Sequence, residues 1–167
     1  YEQGASPLDV AESISNSLAK KAIAAKVDGE LRDLTRPLDG DAEVAIVTAK
    51  DPEGLELIRH DAAHILAQAV QELYPDTQVT IGPVIDDGFY YDFAREKPFS
   101  ADDFEKIEKK MAQIVDANYP IIREVWKKED AIETFKKIGE DYNAQIIDDI
   151  IPPGEPITVY KQGDWFD

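Results

Sequence analysis

The chain has 167 residues, 43% of them hydrophobic, and carries a net charge of −17 from 35 acidic and 18 basic side chains. This length suits one large domain or two small ones, and the acidic surface disfavours broad binding of a phosphate backbone by this chain alone. The absence of cysteine excludes disulfides and thiolate chemistry. Without a secretory signal or a run of roughly 20 apolar residues, we expect a cytoplasmic protein that does not enter a membrane.

Residues 1–49 predict a small α+β module. The segment "GASPLDVAESI" is typical of a helix start, because Ser6 is a good N-cap and Pro7 suits the first helical position. The segment "AIAAKVDGELRDL" indicates a hairpin with Asp28-Gly29 as its turn. Three strands are predicted here: 22–27, 30–34 and 43–48. These three strands are one fewer than we expect for the sheet of such a module.

A turn-rich junction, "AKDPEG", leads into a long helix predicted from about Leu55 to Tyr74 and stopped by Pro75. Apolar residues recur through this helix at the spacing of one helical face. They are Leu55, Ile58, Ala62, Ile65, Leu66, Ala69 and Leu73. This stripe predicts the face that packs on a core.

The remainder of the chain alternates strand and helix patterns. The predicted elements are two strands around Asp86-Asp87-Gly88, a helix over 100–118 capped by Ser100, a strand "PIIREVW", a helix "KEDAIETFKKIGE", and strands in "AQIIDDII" and "ITVYKQGDWFD". Residues 50–167 are therefore predicted to form a second α+β domain.

His60 and His64 are the only histidines, and they lie one helical turn apart. Helical geometry places them nearly in line with Glu56, Ala67 and Gln71, opposite the apolar stripe. An outward helix face usually carries Lys and Glu. This one is polar, weakly charged and partly small, which favours the wall of a cleft.

Three interpretations of the histidine pair follow from the residues. Zinc needs further ligands, and the chain has no cysteine and no third histidine; Asp61 also replaces the glutamate that zinc proteases carry after the first histidine. We therefore predict no metal here. A hydrogen-bonded structural pair is the favoured interpretation, and a general acid/base or substrate-orienting pair is the alternative, because imidazole titrates near neutral pH.

The segment "IGPVIDDGFYYDF" is a second candidate. Phe89, Tyr91 and Phe93 share one face of the predicted strand, and Tyr90 and Asp92 share the other. The simpler interpretation is a hairpin that packs aromatic rings on a core, and the functional alternative is a pocket wall that offers a phenol. No glycine-rich phosphate loop occurs, so nucleotide binding by this chain has no support.

The stretch "VTAKDPEGLELIRHDAAHILAQAVQELYP", followed by "TIGPVIDDGFYYDF", closely resembles the N-terminal region of bacterial threonyl-tRNA synthetases. The resemblance runs along nearly the whole chain. It implies an α+β fold in which residues 1–49 form a TGS module, a ubiquitin-like (β-grasp) fold lacking its first strand. Residues 50–167 then form an editing domain, truncated at its C-terminal side, which in that family hydrolyses serine wrongly attached to threonine tRNA.

The resemblance also implies roles for particular residues. His60 would position or activate water, and His64 would hold the terminal ribose and the ester. Tyr91 matches a pocket tyrosine of the family, and Asp167 matches an aspartate linked to recognition of the amino acid. Asn143 departs from the pattern, because many members carry a pocket lysine at this position.

The implied partner is the 3′ acceptor end of tRNA(Thr), and no cofactor is expected in this region. The whole enzyme of that family ligates threonine to its tRNA with ATP and Mg, and it carries one Zn in a catalytic domain through which it forms a homodimer. That domain is absent from this chain. The alternatives are an alanyl-type editing domain, a non-catalytic module that docks the acceptor end, and a metal-dependent hydrolase, for which we find no ligands.

Overall fold

A computed structural model of the chain describes residues 4–167, so the first three residues of the predicted module lie outside the described part. The fold is α+β, with small antiparallel sheets. The chain divides into two compact units, Tyr1–Arg59 and His60–Asp167. We predicted a boundary at residues 49 and 50, just before the long helix; the observed division lies within that helix. No helix in residues 4–167 is long and apolar enough to cross a membrane.

The helices of the described residues are α1 (Pro7–Ile14), α2 (Asn16–Ala19), α3 (Pro52–Leu73), α4 (Ala101–Ala117), α5 (Lys128–Lys137) and α6 (Asp141–Ile150). The strands are β1 (Ala22–Val27), β2 (Glu30–Arg32), β3 (Val44–Thr48), β4 (Gln78–Val79), β5 (Val84–Ile85), β6 (Gly88–Phe89), β7 (Phe93–Ala94), β8 (Ile121–Lys127), β9 (Pro156–Gln162) and β10 (Trp165–Phe166). Two three-stranded sheets form, in the orders β2-β1-β3 and β10-β9-β8.

The first unit follows its local sequence signals. Ser6 caps α1 as predicted: its backbone N–H donates to the Asp9 carboxylate at 2.7 Å, and its hydroxyl accepts from the Asp9 N–H at 3.3 Å. The β1–β2 turn lies at Asp28-Gly29, and both residues have positive φ, 51° and 86°, as a two-residue hairpin turn requires. The second strand ends at Arg32, two residues earlier than predicted.

In the second unit, α3 packs on α4. Ala69 and Val70 of α3 are fully buried against the α4 residues Ile107 and Ile114, and the predicted core residues Leu66 and Leu73 pack around them. The helix begins at Pro52, three residues before the predicted start. The beginning of the predicted stripe was wrong, because Leu55 and Ile58 are 46% and 42% exposed.

The aromatic segment folds into a long, interrupted hairpin. β4 pairs with β7 and β5 pairs with β6 around the predicted Asp86-Asp87 turn. The rings of Tyr91 and Phe93 stack at 5.0 Å, and Phe93 meets Phe99 edge-on at 5.7 Å beside the α3–α4 core. The hairpin therefore anchors one end of its aromatic face in the core.

The prediction of a strand in "AQIIDDII" was wrong, because these residues belong to helix α6. Isoleucine favours strands, but propensity yields to tertiary packing. Ala144 and Ile147, three residues apart on one helix face, pack against Ala131 and Phe135 of α5. The buried Lys128 ammonium also donates to carbonyl oxygens at the C-terminal end of α6, at 2.7 and 2.8 Å, which satisfies acceptors that a helix end leaves open.

Candidate active site

A cleft of about 450 Å³ lies in the second unit, and all five residues singled out from the sequence line it. They are His60, His64, Tyr91, Asn143 and Asp167. Helix α3 supplies the two histidines, the aromatic hairpin supplies the tyrosine, α6 supplies the asparagine, and the aspartate follows β10. The fold thus brings together side chains that are far apart along the chain.

The two imidazoles contact each other directly. Their Nε2 atoms are 2.9 Å apart, and the rings meet edge-on with centroids 4.5 Å apart. His64 Nδ1 lies 3.5 Å from the Asp167 carboxylate. Burial lowers the pKa of His64 below its ordinary value, while Asp167 opposes that shift. His64 is therefore neutral at neutral pH.

These contacts favour one arrangement of the ring protons. A carboxylate only accepts, so the proton of neutral His64 lies on Nδ1, and its Nε2 presents a lone pair. The 2.9 Å contact then requires His60 to donate through Nε2–H. In the neutral tautomer of His60 that makes this contact, the remaining lone pair lies on Nδ1. Since His60 is exposed and lines the cleft, a base is available there to a water molecule or a substrate.

Tyr91 shares the Asp167 carboxylate with His64. Its hydroxyl donates to Asp167 Oδ2 at 3.5 Å, and burial, reinforced by this carboxylate, raises the pKa of the phenol well above its ordinary value. Tyr91 therefore stays a hydrogen-bond donor. Its position depends on Gly82, where a Cβ atom would lie 2.2 Å from a Tyr91 ring carbon. The isolated glycine inside a strand pattern was the available signal for this close approach.

Beside the cleft lies a polar chain that the sequence analysis missed. The Trp165 indole N–H donates to Gln71 Oε1 at 2.6 Å, and Gln71 Nε2 donates to Glu140. The backbone N–H of Val79 also donates to Glu140, at 3.2 Å. Burial raises the pKa of Glu140. In the sequence, the one indication of this polar chain was the position of Gln71, on the same face of α3 as the two histidines.

Part of the cleft lining is apolar. Ile146 and Ile147 of α6 belong to it together with Ile157 and Val159 of β9. Neither lysine nor arginine is among the described residues that line the cleft. A ligand with one flat apolar part and one polar part fits such a lining.

Within residues 4–167, no group of three or more His, Cys, Asp or Glu side chains is arranged to hold a metal ion. The Nε2 atoms of both histidines are engaged with each other. The arrangement suits proton transfer between imidazoles.

Fold and site together define an α+β protein that begins with a TGS domain, since residues 1–48 match that domain family, and continues into a unit with a histidine-lined cleft. Over 167 residues, the chain is 78% identical to the threonine–tRNA ligase of Hyphomonas neptunium, covering 100% of this chain and 25% of that protein. It is 65% identical over 164 residues to the ligase of Maricaulis maris, covering 98% and 25%. The ligase of Thiobacillus denitrificans is 59% identical over 167 residues, covering 100% and 26%.

Over its whole length the chain is thus similar to threonine–tRNA ligases, as anticipated from its sequence, and its first 48 residues match the TGS domain. It spans about a quarter of the length of the curated relatives it matches.

Proposed function

We propose that the second unit hydrolyses the ester bond of an aminoacyl-tRNA, with serine attached to threonine tRNA as its substrate. The observation that carries this proposal is the single cleft lined by His60, His64, Tyr91, Asn143 and Asp167, with the two imidazoles in hydrogen-bond contact. The relatives are named threonine–tRNA ligases, and a ligase for threonine has a physical need for such a step.

That need comes from the size of the amino acid. Serine is smaller than threonine by one methyl group. A pocket that binds threonine rejects a ligand lacking one methyl by only about 1–3 kcal/mol, so serine is attached to the tRNA at an appreciable rate. A second, hydrolytic site that excludes threonine by crowding its methyl group removes the error.

Hydrolysis is assigned to the imidazole pair. Water attacks the ester carbonyl carbon and gives its proton to His60 Nδ1. The positive charge that forms is shared through the 2.9 Å contact with His64, whose other nitrogen faces the Asp167 carboxylate. The tetrahedral intermediate collapses by breaking the bond to the ribose oxygen, which takes the proton back from His60. The products are serine and a tRNA with a free ribose hydroxyl.

The charge on the carbonyl oxygen is stabilised by neutral donors. The Asn143 amide lines the cleft and has N–H groups to donate, and the Tyr91 phenol, which also lines it, can turn its single O–H from Asp167 to the substrate oxygen. Hydrogen bonds from a cation are roughly twice as strong as those from neutral groups. An asparagine here therefore provides less stabilisation than a lysine would.

The isoleucine wall suits the terminal adenine, a flat and mostly apolar base that stacks against side chains. Only the end of the acceptor strand then enters the cleft. A chain of net charge −17 tolerates this contact when phosphate contacts come from elsewhere in the ligase. We expect ATP, Mg and Zn to serve the ligation reaction outside these residues, in a cytoplasmic homodimer.

The test is a deacylation assay on a full-length ligase that contains this segment. Serine–tRNA(Thr) should be hydrolysed and threonine–tRNA(Thr) largely spared, and His60→Ala should abolish the difference. Binding of the tRNA end without faster hydrolysis of either ester would instead identify a non-catalytic docking module. Preferential hydrolysis of serine wrongly attached to tRNA(Ala) would support the alanyl-type alternative.

A further inference from the structure

The His64 imidazole contacts two side chains at the C-terminal end of the chain, one in β10 and one directly after it. Trp165 and Asp167 are two residues apart, so both point to the same face of the β9–β10 hairpin. The Trp165 ring meets the His64 ring edge-on with centroids 5.8 Å apart, and the Asp167 carboxylate lies at the Nδ1 atom. The placement of this strand against α3 therefore decides where the imidazole points.

One side-chain hydrogen bond ties the tip of this strand to α3. The Trp165 indole N–H donates to Gln71 Oε1 at 2.6 Å. Gln71 lies seven residues after His64, hence two turns along the same face of the helix. The contact thus fixes the strand at a set distance from the histidine pair.

The orientation of the Gln71 amide is determined by its second partner. Its Nε2 donates to Glu140 while its Oε1 accepts from Trp165. A flipped amide would set its NH₂ group against the indole N–H and its oxygen against a carboxylate. Both pairings are repulsive, so Glu140 specifies the acceptor that Trp165 requires.

Glu140 is itself immobilised. It is only 8% exposed, and both carboxylate oxygens accept hydrogen bonds, one from Gln71 and the other from the Val79 backbone at 3.2 Å. A buried carboxylate costs free energy unless its oxygens are paired. Glu140 also directly precedes α6, the helix that carries Asn143 into the cleft.

We propose that Gln71 and Glu140 are positioning residues, which hold the Trp165 indole and thereby fix the His64 imidazole against the Asp167 carboxylate. Neither residue needs to touch the substrate. Their effect on hydrolysis rests on the function proposed above, but their effect on the His64 ring does not. The two claims are therefore tested by separate measurements.

The test exchanges the two polar groups. In Gln71→Glu two carboxylates face each other. In Glu140→Gln the single amide oxygen cannot accept from both Gln71 and Val79, so an NH₂ group faces one of these two donors. The double variant restores every pairing: residue 71 accepts from Trp165 and from the new amide, whose oxygen accepts from Val79. We expect each single variant to displace His64 and the double variant to return it.

Imidazole NMR reads this out directly in the 167-residue chain, because two histidines produce only two ring spin systems. The His64 nitrogen shifts should move towards averaged tautomers in both single variants and in Trp165→Phe, and return in the double variant. Trp126→Phe, which keeps an aromatic ring against Phe166, is the control for the loss of an indole N–H, since Trp126 donates its own to Glu124. Gln68→Met is the control for a glutamine on the same helix that pairs with Glu72.

In the full-length ligase, the single variants should lower kcat for serine–tRNA(Thr) hydrolysis by about 10- to 100-fold with little change in KM, because a small misplacement of a reacting group has effects of this size. Unchanged His64 shifts in folded single variants, or a double variant no better than either, would overturn the proposal. If the shifts respond as expected but the wild-type ligase hydrolyses no ester, the positioning role stands and the proposed reaction falls.

Discussion

His64 Nδ1 lies 3.5 Å from Asp167 Oδ2, and these two residues come from opposite ends of the second unit. The carboxylate holds the proton of neutral His64 on Nδ1 and leaves Nε2 to accept from His60. This contact orders the ring protons of the two histidines, so that a proton can pass from one imidazole to the other. It also has consequences for pH dependence.

Burial lowers the pKa of His64, and Asp167 is the largest influence that opposes the shift. We therefore expect Asp167→Asn to lower the His64 pKa further, as measured by NMR titration of the two histidines. Asp164→Asn, at an exposed position of the same hairpin, serves as control. A His64 pKa that rises or stays constant in Asp167→Asn would contradict the assigned contact.

The same shift makes stability depend on pH. The folded pKa of His64 lies below its ordinary value of 6.5, so just below pH 6.5 the unfolded chain binds the proton more readily. The contribution of His64 to stability is complete above pH 6.5 and is lost as the pH falls towards the folded pKa. His64→Gln should therefore flatten the decline in unfolding free energy just below pH 6.5, as measured by urea titrations. An unchanged slope would argue against a neutral, buried His64.

His60→Ala should slow hydrolysis of serine–tRNA(Thr) by about 10²–10⁴-fold in the full-length ligase, because it removes the base. The melting temperature should hardly change, since His60 is exposed and its loss opens no core cavity. Glu56→Ala, at an exposed position one turn earlier on the same helix, is a control for surface changes. Wild-type rates in a folded His60→Ala protein would mean that another residue acts as the base.

Asn143→Lys tests the departure from the family pattern. Asn143 lines the cleft, and no cation is found among its described lining residues. A lysine that reaches the carbonyl oxygen should leave hydrolysis equal or faster, because a charged donor stabilises the developing negative charge more strongly. Single-turnover deacylation measures this. Complete loss of activity in a folded variant would show that the Asn143 amide makes a hydrogen bond that the lysine cannot replace.

Gly82→Ala should displace Tyr91, because the new Cβ would lie 2.2 Å from the tyrosine ring. We expect a loss of about 1–3 kcal/mol in unfolding free energy, typical of overpacking, together with slower deacylation. Gly88→Ala is a matched control in the same hairpin, since nothing lies within 4 Å of its Cβ position. Equal stability and activity for both variants would mean that Tyr91 moves freely without consequence.

Zinc should not bind stoichiometrically to this chain. Two imidazoles that lack a third ligand make a weak site, and residues 4–167 contain no cluster arranged to complete it. Elemental analysis of dialysed protein measures the metal content. One zinc per chain in the wild type that is lost in His64→Ala would overturn this expectation and favour a metal-dependent hydrolase.

The sequence alone predicted the helix caps and the hairpin turn. Ser6 and Ser100 begin helices, and Asp28-Gly29 forms the β1–β2 turn. These features depend on residues a few positions apart, which the chain holds close together in any fold. The spacing of His60 and His64 on one helix face is local for the same reason. The similarity to threonine–tRNA ligases was also evident from the motif around them.

Only the tertiary structure decided which distant groups meet. Trp165 and Gln71 are 94 residues apart, and Gln71 and Glu140 are 69 apart, so no spacing rule links them. Packing on α5 likewise decided that the isoleucine-rich segment after Asn143 is a helix. Strand propensities at single positions amount to at most about 1 kcal/mol, whereas burial of one apolar side chain contributes about 1.5–3 kcal/mol. The residues that surround each side chain therefore determine whether the segment forms a helix or a strand.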